Sequence, residues 1–261
     1  MFDKVSRDRV GKNDLSVAGE FLEIARAATS NDALRLLMDA AARALGFHYY
    51  ALIHHADLRQ PSRGLICLEN YPPVWSEHYI RNRIYLSDPI IHASLRTNSG
   101  FAWSNVPRMI RLTHLQERIL ECAAKEGLGC GFTVPACVPG ERTGSCSFVT
   151  RYGRALPRYA LMVAQLVGAF AFQAARRIAG LDGAPDLTVP RLSPRQRECV
   201  LLVGQGKSDW EIGGILGLSE DTVTKYLNAA RRRYGVVRRV QLVIAAIYDG
   251  QIALHEIVNW Q

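Results

Sequence analysis

The chain has 261 residues, a length that suits one mid-sized domain and one small domain. Its 32 Lys and Arg residues exceed its 24 Asp and Glu residues, which gives a formal net charge of +8. No apolar run reaches the ~18 residues that a membrane helix requires, so we expect no membrane partner.

The six cysteines show no C-x-x-C pair, and no signal peptide precedes them. This usage is typical of reduced core residues in a cytoplasmic protein. Cys130 and Cys137 lie on either side of FTVPA, which leaves a redox sensor as an alternative. We expect no cofactor, no metal and no catalytic residue. A metal site is disfavoured because the histidines at 48, 54 and 55 have no carboxylate or cysteine at a ligand spacing.

The first 178 residues predict a domain of helices and strands. Residues 1–15 are expected to form a flexible tail, and the apolar spacing over 16–45 predicts two helices. Two pairs of strands are predicted, at 48–55 with 64–68 and at 129–138 with 143–152. Further helices are predicted at about 73–83, 88–97, 113–126 and 156–178. Helices around a mainly antiparallel sheet predict an α+β fold in which residues 16–178 form an α-β-α sandwich.

A second, all-α domain is predicted at 192–261, after a linker at 179–191 that holds two glycines, two prolines and no helical period. Ser193 before Pro194 predicts the start of its first helix, and Gly206 predicts the exit from that helix. The second helix is expected to bury Trp210, Ile212, Ile215 and Leu216. Gly217 predicts a tight turn, after which Ser219 caps a third helix.

The third helix of this domain has an apolar face and a polar face. Four residues are expected to pack inward: Val223, Leu227, Ala230 and Tyr234. Short polar groups and cations remain outward: Thr222, Thr224, Lys225, Asn228, Arg231 and Arg232. A helix that reads double-stranded DNA needs hydrogen-bonding groups near the base edges and cations near phosphate. The sequence therefore predicts a helix-turn-helix, with a small helical bundle that has a solvated face as the alternative.

An aromatic cluster lies between the two predicted strand pairs. Tyr71, Trp75 and Tyr79 recur at every fourth position, and Asp88 before Pro89 and then Trp103 follow. Taken alone, such a stripe is more typical of a core than of a binding site, and an aspartate before proline is typical of a helix cap.

Both parts of the chain resemble LuxR-type quorum-sensing regulators. The DNA-binding pattern of that family is matched at Leu192, Arg195, Arg197, Glu198, Gly206, Glu211, Ile212, Ser219, Thr222, Val223 and Gly235. Departures from it, which affect base preference, occur at Gln196, Val200 and Thr224-Lys225. The autoinducer-binding pattern W-x3-Y, then D-P, then W is matched without a gap by Trp75, Tyr79, Asp88, Pro89, Trp103 and the later Gly131. The resemblance covers about residues 16–250.

The resemblance implies that the first domain binds an N-acyl or aryl homoserine lactone. Asp88 would accept a hydrogen bond from the amide N–H of the ligand, and the Trp75 indole N–H would donate to the lactone carbonyl. Tyr71 would donate to the acyl carbonyl, with Ser147 as a second hydroxyl there. The pocket walls would be Tyr79 and Trp103. The expected contacts of the ligand tail are Ile53, Leu65, Phe101, Phe132 and Val134.

The resemblance also implies a transcription factor that binds a two-fold symmetric promoter site as a homodimer, with RNA polymerase as a further partner. The predicted helices at 156–178 and 238–249 are the expected dimer contacts. Two rival functions are a phosphorylation-dependent response regulator and an enzyme acting on a lactone. The first needs an α/β receiver domain. The second needs a nucleophile with a base partner, or a metal, and the pocket residues named above supply neither.

Overall fold

The computed structural model describes residues 18–59, 64–138, 141–181 and 191–258. They fall into two compact units, the first containing every described strand and the second containing the helices after residue 191. The predicted tail at 1–15 and most of the predicted linker, residues 182–190, lie outside the described residues. Within the described ranges, no helix combines the length and the apolar character needed to cross a membrane.

The first unit is built on an antiparallel sheet whose described strands have the order β2-β1-β5-β4-β3. The strands are β1 (Tyr49–His54), β2 (Cys67–Glu69), β3 (Phe101–Ala102), β4 (Leu128–Ala136) and β5 (Gly144–Arg151). Each neighbouring pair among them is antiparallel. The sheet thus differs from the parallel sheet of a doubly wound receiver domain.

Helices lie on both faces of this sheet, which confirms the predicted α-β-α sandwich. Helix α1 (18–27), helix α2 (Asn31–Ala44) and helix α7 (Leu161–Ile178) pack against one face. The opposite face is bordered by α3 (Pro73–Arg81), α4 (Pro89–Ser94) and α6 (His114–Lys125), and a short helix α5 (Val106–Met109) follows β3.

Alternation along the strands separates a solid face of the sheet from a hollow one. Tyr50, Leu52, Phe132, Val134 and Phe148 point toward α1, α2 and α7 and form the main core with them. Because successive side chains of a strand point to opposite faces, the residues between them point toward α3, α4 and α6. The cavity described below lies on that second face.

Some predicted boundaries are wrong for local reasons. Helix α7 begins at Leu161 rather than near 156, because Pro157 and a 3-10 turn at Arg158–Ala160 precede it. Strand β2 is shorter than predicted, and β3 was missed because two residues carry no detectable period. Tyr71 precedes α3 instead of belonging to it, so the three tyrosine and tryptophan positions do not share one helix.

The cysteines are free thiols, but only Cys146 and Cys199 are buried, so the expectation that all six are core residues is wrong. Cys130 lies in β4 and Cys137 lies one residue past its end. Seven residues of extended chain separate their Cα atoms by roughly 20 Å, whereas a disulfide requires Cα atoms within about 7 Å. This fold therefore does not permit a disulfide between them.

The second unit contains five helices among its described residues: α8 (Pro194–Gly204), α9 (Asp209–Leu216), α10 (Glu220–Tyr234), α11 (Arg239–Tyr248) and α12 (Leu254–Ile257). The side chains of Ser193, Ser208 and Ser219 each accept a hydrogen bond from the backbone N–H three residues later. The caps predicted at Ser193 and Ser219 are therefore confirmed, and they fix where α8 and α10 begin.

Helices α9 and α10 form a helix-turn-helix. Gly217 ends α9 with a φ of 68°, a conformation that favours glycine. A Cβ at Gly213 would lie 2.7 Å from the Leu218 carbonyl oxygen, so the turn can approach α9 closely only because residue 213 is glycine. These two positions set the tight connection between the helices.

The core of the second unit confirms most of the predicted inward positions. Ile212, Val223, Leu227 and Ala230 are buried. In contrast, Trp210 is 73% exposed and Ile215 is 56% exposed, so the prediction that both are buried is wrong. At 100° per residue, Trp210 lies about 200° around the helix from Ile212 and therefore on the opposite side.

Candidate ligand cavity and nucleic-acid interface

A cavity lies between the second face of the sheet and helices α3, α4 and α6. About 70 Å³ of the cavity is available to the centre of a water-sized sphere, and the whole space between its walls, including the open mouth, is about 750 Å³. The predicted ligand contacts Tyr71, Trp75, Tyr79, Asp88, Trp103 and Ser147 all line it. The structure therefore brings together six residues that are spread over 77 positions of the sequence.

Asp88 stands at the start of α4 and faces the cavity. One carboxylate oxygen, Oδ1, accepts the backbone N–H of Ile90 at 2.7 Å and thereby caps the helix. The other, Oδ2, accepts the Tyr79 hydroxyl at 2.6 Å. Burial raises the pKa of Asp88, while the bonds from Tyr79 and the α4 backbone oppose that rise. A carboxylate has about four acceptor sites, and the donors from Tyr79, Ile90 and Ile91 leave at least one of them open. Asp88 is therefore both a helix cap and an acceptor that a ligand can use.

The aromatic residues around Asp88 come from α3 and from the segment before it. Trp75 is a buried residue of α3, and its ring packs against that of Tyr79 with the centroids 5.8 Å apart. Tyr71 precedes the helix, and burial, followed by the charge of Asp88, raises the pKa of its hydroxyl. Both tyrosines are therefore neutral donors at physiological pH.

Trp103 is held against the sheet by a short hydrogen-bond chain. Its indole N–H donates to Thr133 Oγ1 at 2.9 Å, and that hydroxyl lies 2.8 Å from Ser147 Oγ. Thr133 and Ser147 are directly paired across β4 and β5. Any Cβ at Gly131 would lie inside the contact distance of the Trp103 ring, so the ring can lie on the strand only because that residue is glycine.

The tail contacts expected from the sequence were mostly wrong. Ile53 lines the cavity, but Phe101, Phe132, Val134 and Leu65 are absent from its walls. Phe132 and Val134 point to the opposite face and belong to the main core, and Phe101 packs with α4 and α5. Several wall residues were not anticipated: Leu58, Cys67, Glu69, Ser76 and Ser145.

The strand register contains a signal that identifies part of the missed set. The pairs Glu69 with Ala51, Ala51 with Ser147, and Ser147 with Thr133 form one row across the sheet. Once Ser147 is placed in the cavity, its partners in the row must share that face. Alternation along the predicted strand at 143–152 would have identified Ser145, and pairing that strand with the one at 129–138 would have excluded Phe132 and Val134.

One serine in the cavity wall has a histidine partner. Ser145 Oγ lies 3.0 Å from His55 Nε2, a geometry that the sequence did not predict. Burial, followed by the neighbouring His54, lowers the pKa of His55 to about 4, well below the value suited to a base at neutral pH. Its other nitrogen, Nδ1, is buried without a hydrogen-bond partner among the described residues, so no carboxylate orients the ring there as in a catalytic triad.

Helix α10 carries the predicted DNA-contacting residues, and several of them bond to neighbours. The Thr222 hydroxyl lies 2.8 Å from Ser219 Oγ, and the Thr224 hydroxyl donates to Asp209 Oδ2 at 2.7 Å. Asn228 Oδ1 accepts a hydrogen bond from the Arg231 guanidinium. A base contact by any of these groups requires the group to share or release its present partner.

The three cations predicted to contact phosphate differ in how strongly their side chains are engaged within the protein. Arg231 also donates to the Val237 carbonyl at 2.7 Å, which ties it to the end of α10. Lys225 forms an exposed ion pair with Asp221 at 2.6 Å, of a kind that contributes little stability. Arg232 is exposed, so it is the cation of this set best placed to meet an external anion.

Comparison with known proteins gives two family matches. Residues 30–178 match the autoinducer binding domain, and residues 190–246 match the bacterial regulatory proteins of the luxR family. Over 238 residues the chain is 28% identical to the transcriptional activator protein AhyR of Aeromonas hydrophila, covering 88% of this chain and 90% of AhyR.

Solved structures show the same fold. The crystal structure of Escherichia coli SdiA matches with a TM-score of 0.58 and 21% identity, over 94% of this chain and 99% of SdiA. SdiA in complex with octanoyl-rac-glycerol matches with a TM-score of 0.55 and 20% identity, over 95% of this chain and 97% of that one.

A cavity domain of α-β-α architecture followed by a helix-turn-helix domain defines a two-domain regulatory protein. The chain belongs to the LuxR family of bacterial transcriptional regulators that carry an autoinducer-binding domain.

Proposed function

We propose that the protein is a receptor for an N-acyl or aryl homoserine lactone and that the ligand occupies the cavity of the first unit. The observation that carries this proposal is Asp88, a buried carboxylate that faces the cavity with unused acceptor capacity. The amide N–H of the ligand would donate a hydrogen bond to this carboxylate. Trp75 would donate to the lactone carbonyl, and Tyr71 with Ser147 would bind the acyl carbonyl. Tyr79 and Trp103 would form the walls.

The binding test uses the full-length protein and two kinds of acyl compound. A homoserine lactone should raise the melting temperature, with a stabilisation of roughly 2.7 kcal/mol at a hundredfold excess over its dissociation constant. Octanoyl-rac-glycerol serves as the comparison compound, because it has an acyl chain but no lactone amide. Indifference to every homoserine lactone would contradict the proposal. Recovery of intact lactone by mass spectrometry would separate a receptor from an enzyme that opens the ring.

We further propose that the protein acts as a homodimer. Met162 on α7 is 78% exposed, and Leu166, one turn later, is 38% exposed. On α11, Val240, Ile244 and Tyr248 form an exposed stripe at four-residue spacing. Placing a charge at either stripe, as in Met162→Glu or Ile244→Glu, should shift the sedimentation coefficient toward that of a monomer. The exposed Glu77→Gln change is the control.

For the second unit we propose binding to a two-fold symmetric promoter site, with α10 in the major groove. Thr222, Thr224 and Asn228 would face base edges, and Lys225, Arg231 and Arg232 would meet phosphates. A dimer of such readers requires inverted half-sites about one helical turn apart. Selection of binding sequences from a random DNA pool tests this geometry. RNA polymerase as a partner and a cytoplasmic location are parts of the same proposal.

A further inference from the structure

Ser76 is a cavity residue that the head-group contacts leave unexplained. Its hydroxyl oxygen is buried and has no hydrogen-bond partner among the described residues. A serine within a helix ordinarily donates to the carbonyl four residues earlier. Here that carbonyl, on Pro72, already accepts the backbone N–H groups of Trp75 at 2.9 Å and Ser76 at 3.1 Å. The Ser76 hydroxyl therefore has nothing in its own helix to bond.

Helix α3 presents two neighbouring stripes to the cavity. Trp75 and Tyr79, four residues apart, form the stripe next to Asp88. Ser76 and Ile80, also four residues apart, form a second stripe about 100° around the helix, and both line the cavity. The second stripe contains none of the proposed head-group contacts, so we assign it to the part of the cavity that remains for the ligand tail.

A carboxylate on the sheet side of the cavity limits which polar groups the ligand tail can carry. Glu69 lines the cavity from β2, and its Oε2 is anchored by the Tyr71 backbone N–H at 2.6 Å. A carboxylate accepts hydrogen bonds but donates none, whereas a serine hydroxyl does both. A hydroxyl group on the tail can form a hydrogen bond with either residue, whereas a carbonyl group can only accept one from the serine. A carboxylate group on the tail would be repelled by the charge of Glu69.

We propose that the cavity selects a homoserine lactone whose acyl or aryl tail carries a hydroxyl group, and that Ser76 is the residue that recognises it. This inference rests on the proposed function. A tail with a hydroxyl group gives the unpaired Ser76 oxygen a hydrogen bond that a plain tail cannot form, which favours hydroxylated ligands. Ser76 is thus a specificity-determining residue, distinct from the residues that hold the head group.

The test compares matched ligand pairs by calorimetry on the full-length protein. The pairs are hexanoyl with β-hydroxyhexanoyl homoserine lactone, and cinnamoyl with para-hydroxycinnamoyl homoserine lactone. The unsubstituted protein should bind the hydroxylated member of at least one pair about tenfold more tightly. Ser76→Ala should reduce that ratio to near one by weakening the hydroxylated ligand alone. Ser147→Ala is the matched control, because it should weaken both members equally and leave the ratio intact.

Folding is checked on the ligand-free variant. Because Ser76→Ala removes a hydroxyl without a partner, its melting temperature should equal or exceed that of the unsubstituted protein. Should it nevertheless fail to fold, Ser76→Thr retains the hydroxyl and should retain the preference. Equal binding within both pairs, or a preference that survives Ser76→Ala, would overturn the role of Ser76 and leave the proposed function standing. Binding of no homoserine lactone at all would overturn both.

Discussion

Replacing Asp88 with alanine should destabilise the protein even before ligand is added. The change removes the cap of α4, which costs about 1 kcal/mol. It also leaves the Tyr79 hydroxyl without its acceptor, at a cost of roughly 1–3 kcal/mol. Part of this loss is recovered, because burial disfavours the charged carboxylate, as its raised pKa shows. We therefore expect the free energy of unfolding to fall by about 2 kcal/mol.

Asp88→Asn separates these structural roles from ligand binding. Asparagine caps helices as well as aspartate does, and its amide can donate to the Tyr79 oxygen while its carbonyl accepts the Ile90 N–H. The ligand-free stability of this variant should therefore lie within about 1 kcal/mol of the parent. Only the charge offered to the ligand amide is lost.

Asp88→Ala should also bind the ligand more weakly than Asp88→Asn does. Loss of a charge-assisted hydrogen bond costs about 1.5–3 kcal/mol, so Asp88→Ala should bind a homoserine lactone roughly tenfold to a hundredfold more weakly. Asp88→Asn keeps a neutral bond and should lose about 1 kcal/mol. Urea unfolding without ligand and calorimetry with ligand measure the two effects. Equal ligand-free stability of both variants would refute the capping argument, and an unchanged affinity of Asp88→Ala would refute the ligand contact.

Three further predictions follow from the structure. His55 has a pKa of about 4 in the folded state, against about 6.5 when unfolded. Its contribution to the free energy of unfolding, up to about 3 kcal/mol, is therefore complete above pH 6.5 and is lost as the pH falls from 6.5 to 4. Urea unfolding of His55→Gln should show a weaker dependence of stability on pH over that range, and an unchanged pH dependence would contradict the lowered pKa. Gly131→Ala should displace Trp103, cost about 1–3 kcal/mol of stability and weaken ligand binding, whereas normal values for both would show that the ring can move freely. Asn228→Ala should reduce the free energy of binding to the preferred duplex by about 1–3 kcal/mol and leave binding to a scrambled duplex unchanged. Arg232→Ala should weaken binding to both duplexes alike, and for a dimer the slope of log affinity against log salt concentration should become shallower by about 1.8. Equal losses and equal slopes for the two variants would contradict the assignment of Asn228 to bases and Arg232 to phosphate.

The sequence predicted elements well wherever a local signal was strong. The serine caps, the glycine exits and the heptad-like spacing of Val223, Leu227 and Ala230 depend on neighbouring residues only, and all were confirmed. The prediction that Trp210 is buried was wrong because a short helix with apolar residues on several sides has no unique inward direction. Burial then depends on which neighbours are present, and local spacing does not contain that information.

The proposed head-group contacts could be predicted from the sequence, whereas the rest of the cavity wall could not. Family spacing identified the positions of Trp75, Asp88 and Trp103, but no local pattern indicated that Tyr79 bonds to Asp88. The other cavity residues come from β1, β2, β5 and α3, among other elements, and have no shared motif. Neighbouring positions along a strand lie on opposite faces. Phe132 and Val134 were predicted as ligand contacts from their apolar character alone, which does not distinguish the cavity face from the core face.

The separation of the sheet into a solid face and a hollow face also affects how such a receptor can change. On β4 and β5, even-numbered residues such as Phe132 and Phe148 hold the main core, while odd-numbered residues such as Ser145 and Ser147 face the cavity. Substitutions at odd positions that line the cavity, such as Ser145, alter the shape and polarity offered to a ligand and leave the main core in place, unlike substitutions at Gly131 or the buried Val149. Mutations at these cavity positions can therefore change which ligand is bound at little cost to folding. A protein engineer can vary Ala51, Ile53 and Ser145 while keeping the even positions fixed.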